Sequence, residues 1–155
     1  ENEMLYGERG EVPTGEFLLP IGEAEVKVEG TDVTLIAHSR MAHVLMNSVD
    51  AFAKENISIE LVDPRTIKPF DIETVARSVA KTHRVVIMEE GHRFCGVGAE
   101  FADQIYTRCF DALDAPIVRV THTENPLPYA KNLEAASLPT VEDVMRACKS
   151  VLYRT

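Results

Sequence analysis

From residue 24 onward the chain alternates between two apolar rhythms. VTLIA (33–37), ISIELV (57–62), RVVIM (84–88) and IVRVT (117–121) are short runs rich in β-branched residues, the pattern of strands covered on both faces. Val26 and Val28, followed by GlyThrAsp at 30–32, predict a short edge strand and a turn before the first of them. Between the runs, apolar residues recur three and four apart. Met41, Leu45, Val49 and Phe52 predict a helix over 40–54, capped by Ser39 and stopped by a left-handed Asn56. Asp71 caps a helix that carries Ile72, Val75, Ala76, Val79 and Ala80. Ala102, Ile105, Tyr106 and Cys109 share a face of the next helix. After a proline-bearing loop, ENPLPYAKNLEAASLP, Thr140 caps a last helix with a stripe of Val141, Val144, Met145, Cys148, Val151 and Leu152.

Strands alternating with helices imply parallel pairing, because a parallel neighbour needs a crossover of about a dozen residues. Right-handed crossovers then give an α/β fold of three layers, α/β/α, with a mostly parallel sheet and one short edge strand. Residues 1–22, polar and punctuated by glycine and proline, read as an extended lead-in to a domain over 23–155.

Composition changes this picture little. The chain has 155 residues, 45% apolar, enough for one well-cored domain. A net charge of −9 without a basic run argues against nucleic acid and against an anionic membrane surface. No apolar stretch reaches the roughly 18 residues of a membrane span, and no signal peptide is visible. Three cysteines, Cys95, Cys109 and Cys148, without CxxC spacing point to a reducing compartment.

Candidate chemistry concentrates in EEGHRFCGVGAE (89–100). Gly91 and Gly96 have the gap of a Walker phosphate loop, but Val97 and Gly98 stand where Lys and Ser/Thr belong. GVGAEF lacks the third glycine of a dinucleotide fingerprint and sits on the third strand-to-helix turn. The glycines then serve a tight turn and close helix–sheet packing. His92 and Cys95 lack a second ligand pair for zinc and an evident orienting group for a nucleophile. His38 and His122 fall at strand ends, where open α/β sheets place ligands. In DPRTIKPFD (63–71), Arg65 and Lys68 suit either an anion or local carboxylates and carbonyls. No complete catalytic constellation emerges. A free-standing phosphate-binding module and a Cys–His enzyme remain as alternative readings.

The ordered set ENEMLYG, LPIGEAEV, GTDVTLIAHSRM, VDPRTIKPFDIETV, EEG…GVGAE, LDAPIVRVT and NPLPYAKNLE resembles the C-terminal, transketolase-like domain of the beta subunits of thiamine-diphosphate-dependent 2-oxo acid dehydrogenases. PLPYAKNLE and RTIKPFD are most similar to the pyruvate dehydrogenase branch, with the branched-chain and acetoin enzymes as relatives. The chain departs from the family at His122, where glycine is usual, in the HRFC segment, and in a tail about one residue longer. The resemblance implies a piece of an oxidoreductase in the bacterial cytoplasm or mitochondrial matrix. Its thiamine diphosphate and magnesium would be held by parts outside these residues, so the piece alone would be inactive. The implied partners are the alpha subunit, a second beta subunit and the lipoyl acyltransferase component. The last-helix stripe and the proline loop are the candidate assembly surface, unless the stripe is spent in the core. Carried over by position, the residues at the acyltransferase contact are Asp114 in LDAP and the terminal Tyr153, Arg154 and Thr155.

Overall fold

A computed structural model describes residues 2–154, without the side chain of Met4. Five strands form one sheet: β1 (Glu25–Val28), β2 (Val33–Ala37), β3 (Ile59–Asp63), β4 (Val85–His92) and β5 (Val118–His122). Their order across the sheet is β1-β3-β2-β4-β5. β1 is antiparallel to β3 and every other pairing is parallel. The helices are α1 (Arg40–Met46), α2 (Val49–Lys54), α3 (Ile72–Thr82), α4 (Val97–Cys109), α5 (Lys131–Ser137) and α6 (Val141–Val151). The three-layer α/β/α architecture with one short antiparallel edge strand is therefore the one that the alternating pattern predicts. No helix among the described residues is long and apolar enough to cross a membrane.

Two cores lie on opposite faces of the sheet because successive strand residues point to opposite sides. Leu35, Leu61, Val86 and Met88 pack against Met41, Leu45 and Phe52 of α1 and α2 and against Val144, Cys148 and Val151 of α6. Ile36, Val62, Val85 and Ile87 pack against Val75 and Val79 of α3 and Phe101 and Ile105 of α4. The stripe of the last helix is thus spent in the domain's own core. Asp71 and Thr140 cap α3 and α6 as predicted. Asp71 accepts from the Thr74 amide at 3.0 Å, and Thr140 and Asp143 form a reciprocal capping box. Asn56 takes the predicted positive φ, 54°.

Four local expectations are corrected. The helix predicted over 40–54 breaks at Asn47–Ser48, where the Ser48 hydroxyl donates back to the Val44 carbonyl at 2.8 Å and competes with the helical ladder. Ser39 does not cap α1 with its side chain; its backbone sits at φ 53°, ψ −134°. The proline loop contains a helix, α5, which the polar and proline-rich context hides. Ala80, placed in the apolar stripe of α3, is exposed. Ser78 and Thr82 are buried instead, both hydrogen-bonded to Thr34 at 2.7 Å.

Candidate functional site

In an open α/β sheet, ligands bind outside the carboxyl ends of the strands, where the strand order reverses. Here that crevice lies between β2 and β4, since the chain goes from β2 to β3 on one side and then crosses to β4 on the other. The predicted third strand also runs further than its apolar run, from Val85 through His92. Glu89 and Glu90 are therefore strand residues and point to opposite faces.

Glu89 is buried, 2% exposed. One carboxylate oxygen accepts the Gly98 amide at the start of α4, at 3.0 Å. The other accepts from the Arg119 guanidinium of β5, at 2.9 Å. This arrangement explains the glycines. A Cβ on Gly98 would lie 2.5 Å from one Glu89 carboxylate oxygen, and a Cβ on Gly96 would lie 2.9 Å from both. Contacts that close leave room only for hydrogen. The amino end of α4, which in phosphate-binding relatives of this architecture receives a ligand's anion, here receives a carboxylate from the chain itself.

Glu90 closes the crevice from the other face. It accepts from Arg40 of α1 at 2.7 Å and from the Asn2 amide at 2.7 Å, tying the lead-in to the sheet. Ser39, at the sharp β2-to-α1 turn, has the strained backbone that exposes a nucleophile in other α/β enzymes. Among the described residues its hydroxyl makes no hydrogen bond to a histidine ring, so the geometry supplies no base. Cys95 is exposed at φ 57°, and His92 makes an edge contact with His122 instead of one with the cysteine. The Cys–His pairing is not formed. Among the described residues no three His, Cys, Asp or Glu side chains stand together as a metal site.

Arg65 and His83 find polar partners, whereas His38 has only a ring contact, its Nε2 buried without a hydrogen bond among the described residues. Arg65 pairs with Glu25, so the DPRTIKPFD loop uses its arginine on a local carboxylate. His83 sets Nδ1 against the Ala112 carbonyl at 2.9 Å, and His38 packs edge-on against Phe101. Burial pushes the Cys148 thiol up to about 12 and raises Cys109 as well. Neither is suited to act as a thiolate near neutral pH.

The opposite, amino-terminal end of the strands is arranged differently. Asp114 precedes β5, is exposed, and pairs with Arg84 just before β4 at 3.3 Å. The Tyr153 hydroxyl donates to the Asp114 carbonyl at 3.0 Å, and Arg84 also donates to the Val151 carbonyl at 3.0 Å. The structure thus brings Asp114 and Tyr153 together and ties both to the end of α6. Arg154 lies on the same tail and donates to the Asn56 carbonyl at 2.7 Å. Thr155 lies outside the described residues. Sequence reasoning missed Arg119 and the role of Glu89. Their signal was a charge inside each of two apolar strand runs, VVIMEE and IVRVT.

This self-filled crevice and five-strand order define a class, the α/β/α domains of the transketolase type. The chain belongs to the transketolase C-terminal domain family, whose profile matches residues 22–144. It is 44% identical over 158 residues to the rice mitochondrial "Pyruvate dehydrogenase E1 component subunit beta-1", covering 99% of this chain and 42% of that protein. It is also 44% identical over 153 residues to the Rickettsia conorii "Pyruvate dehydrogenase E1 component subunit beta", covering 99% and 47%. The chain therefore spans less than half the length of these curated relatives. Among solved structures, the beta chain of a split-gene transketolase, an inactive beta4 tetramer, superposes with a TM-score of 0.75 at 26% identity, over 93% of this chain and 46% of that one. A 2-oxoglutarate:ferredoxin oxidoreductase from Magnetococcus marinus shares the fold, with a TM-score of 0.57 at 16% identity over 84% of this chain and 20% of that one.

Proposed function

We propose that this chain is the assembly and docking domain of a pyruvate dehydrogenase beta subunit. In that reading the whole enzyme decarboxylates pyruvate on thiamine diphosphate and passes the acetyl group to lipoyl-lysine of the acyltransferase component. It works in the mitochondrial matrix or the bacterial cytoplasm. The domain itself binds neither thiamine diphosphate nor magnesium. The observation that carries this is the Glu89 carboxylate at the α4 amino end. A diphosphate placed there would meet a buried negative charge, so these residues do not fit the cofactor. The cofactor then belongs to the alpha subunit and to the rest of the beta subunit.

The domain's contribution is contact. Asp114, Tyr153, Arg154 and Thr155 form the docking surface for the acyltransferase's small subunit-binding domain, while the proline loop faces a second beta subunit. Asp114 has a carboxylate at the surface, paired with Arg84, and its backbone carbonyl accepts from the Tyr153 hydroxyl. A held anionic group suits arginine and lysine on a basic partner, through charge-assisted bonds that weaken with salt. The experiment is a calorimetric titration of the chain with that subunit-binding domain. Asp114→Asn is expected to weaken binding by roughly 1–3 kcal/mol, with the tail intact. An unchanged dissociation constant would remove Asp114 from the contact. Saturable micromolar binding of thiamine diphosphate with magnesium to the chain alone would overturn the assignment of the cofactor elsewhere.

A further inference from the structure

The lead-in lies along the domain. Past Asn2, which meets Glu90 at the crevice, a 3-10 turn at Glu3–Leu5 carries it over α1. An open cleft of about 420 Å³ separates the two. The charged side chains that line this cleft are Glu8 of the lead-in and Arg40 and His43 of α1. Arg40 is committed to Glu90 of β4 at 2.7 Å. His43 is left facing Glu8.

One ring atom of His43 has two incompatible neighbours. Its Nε2 lies 2.9 Å from the side-chain amide nitrogen of Asn47, one turn on along the helix. It also lies 3.4 Å from a Glu8 carboxylate oxygen. An amide nitrogen only donates, so it needs Nε2 bare; a carboxylate only accepts, so it needs Nε2 to carry a proton. With the neutral ring protonated at Nδ1, Asn47 is satisfied and Glu8 faces a lone pair. With the ring doubly protonated, Nε2 donates to Glu8 and Asn47 turns its amide. Histidine is the side chain whose charge changes between about pH 5 and 8, a range in which carboxylates are ionised.

We propose that His43, Glu8 and Asn47 form a pH-sensitive latch. It holds the lead-in on α1 when the ring is protonated and releases it when Asn47 occupies the neutral ring. Closing takes up a proton, so the latch strengthens as pH falls and is lost as pH rises. It needs neither the docking nor the cofactor reading above. The test is amide hydrogen exchange of the full chain, followed at Leu5, Tyr6 and Glu8, whose amides donate to carbonyls within the lead-in. Protection factors, taken relative to unstructured peptide at each pH, remove the chemical pH dependence. The Glu8 and His43 side chains are 56% and 38% exposed, so the latch has the modest strength of a surface pair. Protection is expected to be about 2–5-fold higher at about pH 5.5 than at about pH 7.5. His43→Gln and Glu8→Ala should each abolish that difference. Asn47→Ala removes the competing donor and lets the neutral ring put its proton on Nε2. Protection at the higher pH should then rise to the value seen at the lower. Wild-type protection that is the same at both pH values would overturn the latch, as would a difference that survives His43→Gln. An Asn47→Ala variant unchanged at the higher pH would overturn the sharing of Nε2 on which the latch depends.

Discussion

Glu89–Arg119 and Asp114–Arg84 are the same chemical pair set at opposite ends of the strands. The first has side chains 3% and 13% exposed and an oxygen–nitrogen distance of 2.9 Å; in the second, Asp114 is 55% exposed and the distance is 3.3 Å. Burial decides what each pair does. Glu89 has exchanged all its water for the Gly98 amide and Arg119, so α4, β4 and β5 depend on it together. Asp114 keeps most of its hydration. Arg84 steadies it without consuming it, which leaves a carboxylate free to meet another molecule. An ion pair becomes architecture when nothing else can reach it, and a contact point when something can.

The comparison breaks first at Glu89. Glu89→Ala leaves Arg119 buried without its partner and α4 without its cap, and is expected to destabilise the fold by about 3–5 kcal/mol. Urea unfolding followed by circular dichroism measures it. A loss below about 1 kcal/mol, the worth of an exposed pair, would erase the distinction between the two ends.

Gly98→Ala sharpens the same point through sign. Alanine in a helix normally gains about 1 kcal/mol over glycine. Here the new Cβ meets the Glu89 carboxylate at 2.5 Å, and a loss of about 1–3 kcal/mol is expected. In the Glu89→Ala background only Ile87 Cγ2, at 3.1 Å, still presses on the new Cβ, so the loss should shrink to near zero or reverse. That change, read in the same unfolding curves, ties the glycine to the carboxylate and not to backbone freedom.

Asp71 lies between the extremes, half-buried, with Arg77 acting on it through space and no direct ion pair. Burial raises its pKa, but the Thr74 hydroxyl and the Ala24 and Thr74 amides outweigh that, and the carboxyl is held below its ordinary value. Because its folded pKa is depressed, its contribution is present above the unfolded value. It is lost as pH falls below about 4. Asp71→Ala is expected to lower stability by about 1 kcal/mol at neutral pH and by less in acid. Unfolding midpoints at both pH values check the sign.

The two ends also differ in how much the sequence discloses. The frame of strands, the caps at Asp71 and Thr140 and the left-handed Asn56 are legible because periodicity and local hydrogen bonding act within a few residues. The glycine turn is legible as a turn, but its reason is not. Glu89 and Arg119 are 30 positions apart, and only the crossing of β4 to β5 makes them a pair. The break at Ser48 escapes for the opposite reason: one hydroxyl overrides a helical pattern that is otherwise continuous. Asp114 and Tyr153 come from family resemblance, and the structure adds the contact between them.

The smallest effect belongs to Asp114, and it is the sharpest test of the contrast. Asp114→Asn keeps the size of the side chain and leaves the Asp114 carbonyl, which accepts from Tyr153, untouched. It removes only the charge that faces Arg84. Arg84 retains its bond to the Val151 carbonyl and is itself partly exposed, so water takes over the lost contact. The expected change in folding stability is under about 1 kcal/mol, as for exposed pairs generally. Read beside the docking titration, this separates two roles that one substitution could confuse. A variant that folds with nearly native stability yet docks weakly places the carboxylate in the contact. A variant that loses several kcal/mol of stability would make Asp114 a second Glu89, an element of the fold with its charge already committed.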